Sequence, residues 1–275
     1  MSSRINTILL IGATSGIGEA LARRFHGMGK QVIATGRNKN KLDALAAELE
    51  GLRTQQFDIS DLTLLPSIVA QILHGHPELD TIFINGGIQK SYNLFEPLTP
   101  TRAEQITQEI ITNLTAPNIL AQLFAPHLLS LAQSGKKSTI FITSSSLAYV
   151  PLSFYPTYCA TKAGVHAFTK AFRQQLIFSG EASKNMNIVE VVPPYVDTGL
   201  DQEHREYTVA MQGGKDKAFP PMALDEYVDK FFESLDQLTP DGSIKKEIGI
   251  GFGQMGSDLW RSTYDSVYQQ LGLSV

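Results

Sequence analysis

The chain has 275 residues, of which 43% are hydrophobic and 18% are charged, and these ordinary globular values exclude a disordered or fibrous chain. Its 23 lysines and arginines stand against 27 aspartates and glutamates, and the net charge of −4 argues against a nucleic-acid partner. The single cysteine, Cys159, excludes an internal disulfide and suits a reducing compartment, so we expect a cytoplasmic location. No apolar run approaches the roughly 18 residues of a membrane-spanning helix, and we expect no membrane contact.

Short apolar runs alternate along the chain with segments whose apolar residues recur at helical spacing. Strands are predicted at 7–11, 31–35, 54–57, 81–84, 139–143, 188–192 and 244–250. Helices are predicted at 17–28, 42–52, 64–73, 158–178 and 224–235, with one or two more within 101–131. This alternation predicts an α/β fold: a doubly wound, Rossmann-type parallel sheet with helices on both faces, in a single domain over 1–275.

An irregular polar segment at about 199–222 follows the strand predicted at 188–192. Sheets of this kind bind ligands at the carboxyl ends of their strands, so the insertion lies on the functional side. It is either a disordered excursion or a substrate loop that covers the site.

Three glycines follow the first strand, in the order Gly12-Ala-Thr-Ser-Gly16-Ile-Gly18. Glycines at such a turn let the backbone approach a pyrophosphate, and the following helix supplies N–H donors at its N-terminus. The spacing is GxxxGxG and not GxGxxG, and by itself it also fits a simple tight turn. The predicted phosphate-binding residues are Gly12, Thr14, Ser15, Gly16, Ile17 and Gly18.

The second strand ends at Gly36-Arg37, where a site that prefers NAD usually carries an acidic side chain for the adenosine ribose. Gly36 cannot accept that hydrogen bond, whereas Arg37 can grip a 2′-phosphate with two parallel hydrogen bonds. The alternative is a solvated arginine at the start of a loop. The preceding glycines favour the phosphate contact, and the predicted cofactor is therefore NADP(H).

Tyr158 and Lys162 lie four residues apart and are therefore neighbours on one helix face. A cation beside a tyrosine lowers the phenol pKa from about 10 toward neutrality, which makes it a usable acid or base. Tyr155 has no lysine at this spacing and is the weaker candidate. Ser145, at the end of a predicted strand, offers a hydroxyl for a substrate carbonyl, with Ser144 and Ser146 as alternatives in register.

Together these motifs resemble those of the short-chain dehydrogenase/reductase family over about the first 200 residues. Ile11 replaces the threonine of the family's TGxxxGxG motif, and Ile84 replaces the first asparagine of its NNAG motif. Pro194 replaces the glycine of a PG stretch. Details around the serines, the tyrosine and the prolines are similar to a bacterial oxidoreductase branch whose substrates are poorly defined.

The resemblance implies reduction or oxidation of an alcohol/carbonyl pair with a nicotinamide cofactor. It implies that Tyr158 is the general acid or base, that Ser145 holds the carbonyl oxygen, and that Lys162 acts on Tyr158 and on the nicotinamide ribose. The implied catalytic set is Asn113, Ser145, Tyr158 and Lys162, with Asn113 holding a relay water. The implied cofactor contacts beyond the glycine loop and Arg37 are Asp58 at the adenine, Asn85, Gly86, Tyr158, Lys162, Pro193, Val196 and Thr198.

The predicted function is thus an NADP(H)-dependent oxidoreductase acting on a small, apolar carbonyl compound, in the reductive direction. The alternatives are a catalytically silent dinucleotide-binding sensor or partner protein, and an enzyme that epimerises or dehydrates and returns the cofactor unchanged. The candidate substrate walls are Leu147, Tyr149, Leu152, Phe154, Tyr155, Tyr195, the segment at 200–222, and residues 89–92.

Small residues form a stripe on the helix predicted at 158–178, and family members pair through this helix, so we expect a homodimer or homotetramer. The stripe comprises Ala160, Ala163, Ala167 and Ala171 together with Phe168. No metal site is predicted, because His74 and His76 lack further ligands. Trp260, Tyr264 and Tyr268 form a helical stripe that predicts a core or subunit contact. The late glycines 249, 251, 253 and 256 receive no role.

Overall fold

A seven-stranded parallel sheet forms the centre of the described part of the chain, which in this computed structural model comprises residues 4–273 and 275. The strands are β1 Thr7–Ile11, β2 Gln31–Gly36, β3 Arg53–Gln56, β4 Thr81–Ile84, β5 Ser138–Thr143, β6 Met186–Val192 and β7 Glu247–Gly249. Their order in the sheet is β3-β2-β1-β4-β5-β6-β7, so the winding reverses between β1 and β4. The predicted doubly wound α/β fold is confirmed.

Helices connect the strands. They are α1 Gly16–Gly27, α2 Lys39–Glu48, α3 Leu65–Gly75, α4 Pro100–Ile110, α5 Ala116–Gln133, α6 Pro156–Ile177, α7 Arg205–Met211, α8 Leu224–Asp236 and α9 Phe252–Gln270. A π-helical turn, Ile111–Thr115, joins α4 to α5, so the segment predicted as one or two helices is helical without interruption. Local chemistry sets several starts: Asn38 and Thr99 cap α2 and α4, and Pro156 opens α6.

The alternating side chains of the strands divide the core into two layers. In β1, Ile8 and Leu10 belong to the layer that also contains Phe25 of α1 and Phe231 of α8. Leu9 and Ile11 point to the other layer, which α3, α5 and α6 cover. Every residue of β1 is buried because helices cover both faces of the sheet, and this is why the strand is apolar from Ile8 to Ile11.

Two predicted elements have wrong boundaries, and the segment predicted as irregular contains a helix. The strand predicted at 244–250 is shorter, because β7 is an edge strand that pairs only with the last three residues of β6. The helix predicted at 42–52 begins at Lys39 and ends at Glu48, since its first turn is polar and therefore lacks the apolar period. The insertion contains a helix, α7, that is too short for its periodicity to be read from the sequence.

The late glycines allow α9 to approach the sheet closely. A Cβ on Gly253 would overlap the carbonyl oxygen of Val192 at the end of β6. A Cβ on Gly256 would lie 2.9 Å from Cγ of Tyr149. Trp260, farther along α9, packs its ring against His166 of α6 at 5.1 Å between centroids, as expected of a core or subunit contact, whereas Tyr264 of the same stripe is exposed. The late cluster therefore seats α9 on the strand that leads into the predicted cofactor contacts at Pro193.

Substituting alanine for Gly253 is expected to destabilise the fold by roughly 1–3 kcal/mol, because the added methyl forces α9 away from β6. Urea unfolding followed by circular dichroism measures this change. Gly27→Ala is the matched control, since a Cβ at that position meets open space and the free energy of unfolding should stay within about 1 kcal/mol of the wild type. Equal midpoints for both variants would contradict the packing role of Gly253.

Candidate active site

A cleft of about 1080 Å³ lies at the carboxyl ends of the strands, where the order reverses between β1 and β4. The side chains and backbone of the predicted site converge there. Those that line the cleft are Gly12, Thr14, Ser15, Gly16, Ile17, Arg37, Asp58, Asn85, Gly86, Ser145, Tyr158, Lys162, Pro193, Val196 and Thr198. Gly18 and Asn113 do not line the cleft but lie behind its wall. Gly18 packs against Gly12, and Asn113 binds the backbone of Ile88.

The glycine loop is packed so tightly that side chains are excluded from it. Gly12 has φ +89°, and its Cβ would lie 2.7 Å from the Cα of Gly86. A Cβ on Gly18 would overlap the carbonyl oxygen of Gly12. The loop therefore presents backbone directly to the cleft at the N-terminus of α1, and this arrangement fits a pyrophosphate.

Arg37 follows the end of β2, and its side chain is 64% exposed. The guanidinium Nη1 lies 3.8 Å from Oδ2 of Asp58, which also lines the cleft. A Cβ on Gly36 would lie 2.6 Å from Cγ2 of Thr14, so an acidic side chain at this position would require the side chain of Thr14 to move. Hence the end of β2 offers a positive group and no carboxylate of its own to an adenosine ribose.

Asn85 and Asn113 brace the loop that follows β4. Oδ1 of Asn85 accepts a hydrogen bond from Oγ1 of Thr143 at 3.1 Å, which links β4 to β5. Asn113 lies in the π-helical turn, where its side chain accepts from Ile88 N at 2.9 Å and donates to Ile88 O at 2.7 Å. Buried Asn113 thus shapes the cleft wall through Ile88 without lining the cleft itself.

Of the three neighbouring serines, Ser145 is the one that interacts with Tyr158. Ser144 donates to buried Glu190 at 2.6 Å, and Ser146 opens a 3₁₀ turn at 146–148. Oγ of Ser145 also accepts from Leu147 N at 3.1 Å, which fixes its side chain at the cleft surface. The geometry therefore favours the register predicted from the sequence.

Lys162 is buried, with 3% exposure, and donates from Nζ to the carbonyl oxygen of Thr143 at 2.9 Å. The same nitrogen lies 5.5 Å from the ring centroid of Tyr158, as expected for residues one helical turn apart. Burial lowers the pKa of Lys162 to about 8, and the charge of Glu109 opposes this shift.

Burial raises the pKa of Tyr158, and the interaction with Ser145 opposes the rise. The sequence predicts the reverse direction from the neighbouring lysine, because a sequence shows the spacing of charges but not the desolvation of the phenol. The neutral phenol, which is able to donate a proton, is therefore the form of Tyr158 that this environment stabilises at physiological pH.

The insertion at 199–222, which we call the lid, contributes residues to the lining of the outer cleft. Glu203 pairs with Nζ of Lys90 at 2.5 Å, and His204 contacts Oε1 of Gln89 at 3.4 Å, so the lid meets the opposite wall. At the base of the lid, Asp201 accepts from Tyr195 at 2.6 Å and from Arg205 at 2.8 Å. Of the two interpretations of this segment, the covering loop is the one that the contacts support.

Part of the predicted substrate wall is wrong. Tyr149 faces inward, where its hydroxyl lies 3.5 Å from the Glu190 carboxylate, because Gly256 leaves room for its ring. Tyr92 is turned to Thr157 and does not line the cleft. Leu147, Leu152, Phe154, Tyr155, Tyr195, Gln89 and Lys90 do line it, together with much of the segment at 199–222.

Cys159 packs with Tyr155 and Tyr158, and burial raises the pKa of its thiol, as fits a packing residue. Across residues 4–273 and 275, no group of three or more His, Cys, Asp or Glu side chains is placed to hold a metal ion. None of the helices over the same residues is long and apolar enough to cross a membrane.

The comparison with known families decides what this arrangement is. The profile of the short chain dehydrogenase family matches residues 6–208. The chain belongs to the short-chain dehydrogenase family. The match ends inside α7, so the profile includes the glycine loop, Ser145, Tyr158, Lys162 and the first part of the lid.

Among relatives of this short-chain dehydrogenase is an uncharacterized oxidoreductase, DltE, of Bacillus subtilis, which is 31% identical over 97% of this chain and 96% of its own length. A serine 3-dehydrogenase of Agrobacterium fabrum is 28% identical over 86% of this chain and 83% of its own. A short-chain dehydrogenase of Sphingobium yanoikuyae, solved in complex with NADPH, is 26% identical, covers 97% of this chain and 94% of its own, and superposes with a TM-score of 0.74.

The membership establishes an oxidoreductase of this family. Sequence reasoning missed one charged group close to the site, Glu109, which lies in α4 and is buried. A glutamate within a partly polar helix normally faces solvent, and only its position four residues before Asn113 places it on the same helix face as a predicted site residue.

Proposed function

We propose that this protein is an NADP(H)-dependent reductase that converts apolar carbonyl compounds to alcohols, with Tyr158 as the proton donor. The observation that carries the proposal is the convergence of Ser145, Tyr158 and Lys162 in the cleft that also holds the glycine loop. Exposed Arg37 supports NADP(H) over NAD(H), since its guanidinium is available to a 2′-phosphate. The NADPH complex of the Sphingobium relative supports the same choice.

When bound, the cofactor supplies a hydride to the carbonyl carbon. Tyr158 donates its proton to the oxygen on which negative charge develops, which is general acid catalysis. Ser145 donates a hydrogen bond to the same oxygen and stabilises that charge. Lys162, fixed by Thr143, holds the ribose beside Tyr158. One hydride and one proton together convert the carbonyl to the alcohol.

The outer cleft supports an apolar substrate. Its walls are mostly hydrophobic and include Leu147, Val150, Leu152, Phe154, Val209, Phe219, Met222 and Phe252. Glu203 pairs with Lys90 at the mouth, so this lysine is not free to bind a substrate phosphate. An apolar ligand gains from leaving water in such a cleft, whereas a phosphorylated sugar would lose hydration.

The test is oxidation of NADPH by the purified protein with a panel of aromatic ketones, lipid-like aldehydes, quinones and phosphorylated sugars. Turnover with the apolar carbonyls, and formation of the corresponding alcohol, is the expected result. Activity confined to phosphorylated sugars would overturn the substrate class. Tight NADPH binding without turnover across the panel would favour a silent dinucleotide-binding protein, and product formation without net NADPH oxidation would favour an epimerase or dehydratase.

Exposed alanines on α6 support the proposal of a homodimer or homotetramer. Ala160, Ala163, Ala167 and Ala171 all face outward from this chain, where they leave room for the close approach of a second helix. Oligomeric state remains a prediction, which light scattering on the purified protein decides.

A further inference from the structure

Glu109, on the last turn of α4, is a buried carboxylate beside the predicted catalytic residues. Its residue exposure is 0%, and Oε1 accepts a hydrogen bond from Lys90 N at 2.9 Å. Oε2 is buried and has no hydrogen-bond partner among residues 4–273 and 275. A buried carboxylate with an unpartnered oxygen costs free energy, and this cost points to a role of Glu109 other than packing.

Glu109 and Asn113 lie one helical turn apart and hold the same stretch of the cleft wall, residues 88–90, which we call the wall loop. Asn113 binds both backbone groups of Ile88, and Glu109 binds the backbone N–H of Lys90. Lys90 in turn reaches Glu203 of the lid. Glu109 and Asn113, on one face of the helix, therefore fix the backbone of the wall loop. Lys90 of this loop makes the contact with the lid.

The charge of Glu109 also acts on the catalytic helix α6. In the part of the chain described, Lys162 forms no ion pair within 4 Å, and its one polar contact is the carbonyl oxygen of Thr143. Glu109 is the carboxylate whose charge raises the pKa of Lys162 against the effect of burial. Reciprocally, Lys90 and Lys162 lower the pKa of Glu109, while burial raises it to about 7. The other titratable groups on α6 that sense Glu109 are Tyr158 and Cys159.

We propose that Glu109 is a positioning residue of the active site: ionised, it keeps Lys162 charged and holds the wall loop, and its loss or gain of a proton couples both to pH. Glu109 does not line the cleft, so its role is that of a positioning residue behind the cleft wall. It acts on Lys162 through its charge. The inference rests on the proposed function in so far as charged Lys162 contributes to NADPH binding.

Neutralising the carboxylate by Glu109→Gln is the direct test, because glutamine keeps the shape of the side chain and an acceptor for Lys90 N. Without the negative charge, Lys162 loses its proton at lower pH. The alkaline fall in NADPH affinity, followed by NADPH fluorescence, should therefore begin about one pH unit lower than in the wild type. The same substitution at exposed Glu104 of α4 is the matched control and should leave the profile unchanged. Identical profiles for Glu109→Gln and the wild type would overturn the proposal.

Unfolding in urea across pH gives a second readout that requires neither cofactor nor activity. A folded-state pKa raised from 4.5 to about 7 means that the folded protein keeps the Glu109 proton longer than the unfolded chain does. Stability from this group is thus fully present below about pH 4.5 and is lost as pH rises toward 7. The urea midpoint of the wild type should fall over this range, and Glu109→Gln should fall less, while buried Asp80 titrates equally in both.

A third variant separates the possible failures. Lys162→Met keeps Glu109 but removes a cation that favours its ionised form, so the fall of the urea midpoint should still begin near pH 4.5 and extend to higher pH than in the wild type. The measurement on Lys162→Met can be made even if Glu109→Gln does not fold. If the wild type does not bind NADPH, the proposed cofactor is refuted. The unfolding measurements, which need no cofactor, then still test the role of Glu109. An unshifted fall in Lys162→Met would overturn the coupling of Glu109 to Lys162.

Discussion

Replacing Tyr158 by phenylalanine is expected to lower kcat for carbonyl reduction by about 100- to 10,000-fold, the range that general acid catalysis contributes. The substitution removes the hydroxyl proposed as the proton donor and keeps the ring that packs beside Tyr155 and Cys159. NADPH affinity should change little, because Lys162 and the glycine loop remain in place. Steady-state NADPH oxidation with the best carbonyl of the panel, together with NADPH fluorescence titration, measures both quantities.

Tyr155→Phe is the matched control for this prediction. Tyr155 lies three residues before Tyr158 and lines the same cleft. Its hydroxyl donates to Oγ1 of Thr208 at 3.5 Å. Tyr155 is seven residues from Lys162 in the chain, and therefore lacks the spacing that pairs Tyr158 with this lysine. Losing that weak hydrogen bond should cost about 1 kcal/mol at most and leave kcat within a few-fold. Near-normal turnover by Tyr158→Phe, or an equal loss in both variants, would contradict the role of Tyr158 as proton donor.

The second large effect is expected at Arg37. Hydrogen bonds to a charged group contribute about 1.5–3 kcal/mol, so Arg37→Ala should weaken NADPH binding roughly 10- to 150-fold. NADH, which lacks the 2′-phosphate, should bind about as well as before. Dissociation constants for both cofactors, measured side by side at one ionic strength, give the change in preference.

Lys39→Ala controls for the loss of one positive charge near this end of the cleft. Lys39 lies two residues beyond Arg37, has the same 64% side-chain exposure, and pairs with Asp43 in α2. Its removal should change NADPH affinity only slightly, since exposed charges act weakly through water. An unchanged NADPH affinity in Arg37→Ala would contradict the assignment of NADP(H) as the cofactor. Equal losses of affinity in Arg37→Ala and Lys39→Ala would mean that any nearby positive charge has this effect.

Much of the fold can be read from local patterns because each pattern has one dominant physical cause. The unbroken apolar run of β1 requires burial on both faces, and the glycine loop requires close backbone approach, so both are visible without coordinates. The first and last residues of the strands and helices are harder to predict from the sequence. β7 ends where its partner strand ends, and no local signal in 244–250 records which residues β6 leaves available for pairing.

The candidate site divides in the same way. Tyr158 and Lys162 were predictable because a helix of known period brings positions four apart together. Tyr149 was placed wrongly because its direction depends on the space that Gly256 leaves, more than 100 residues later. Glu109 was missed because burial of a carboxylate is decided by what packs over its helix, which periodicity does not report.

The sequence by itself determined the order of strands and helices, the phosphate-binding turn, the positive group at the end of β2, and the tyrosine–lysine pair. These follow from interactions among residues close in the chain, whose geometry is set by backbone period and by glycine sterics. Only the tertiary structure decided the direction of the Tyr158 pKa shift, the lid contact between Lys90 and Glu203, and the place of Glu109 behind Lys162. Desolvation and long-range charge depend on which segments cover one another, and that information arises only when the sheet and its helices assemble.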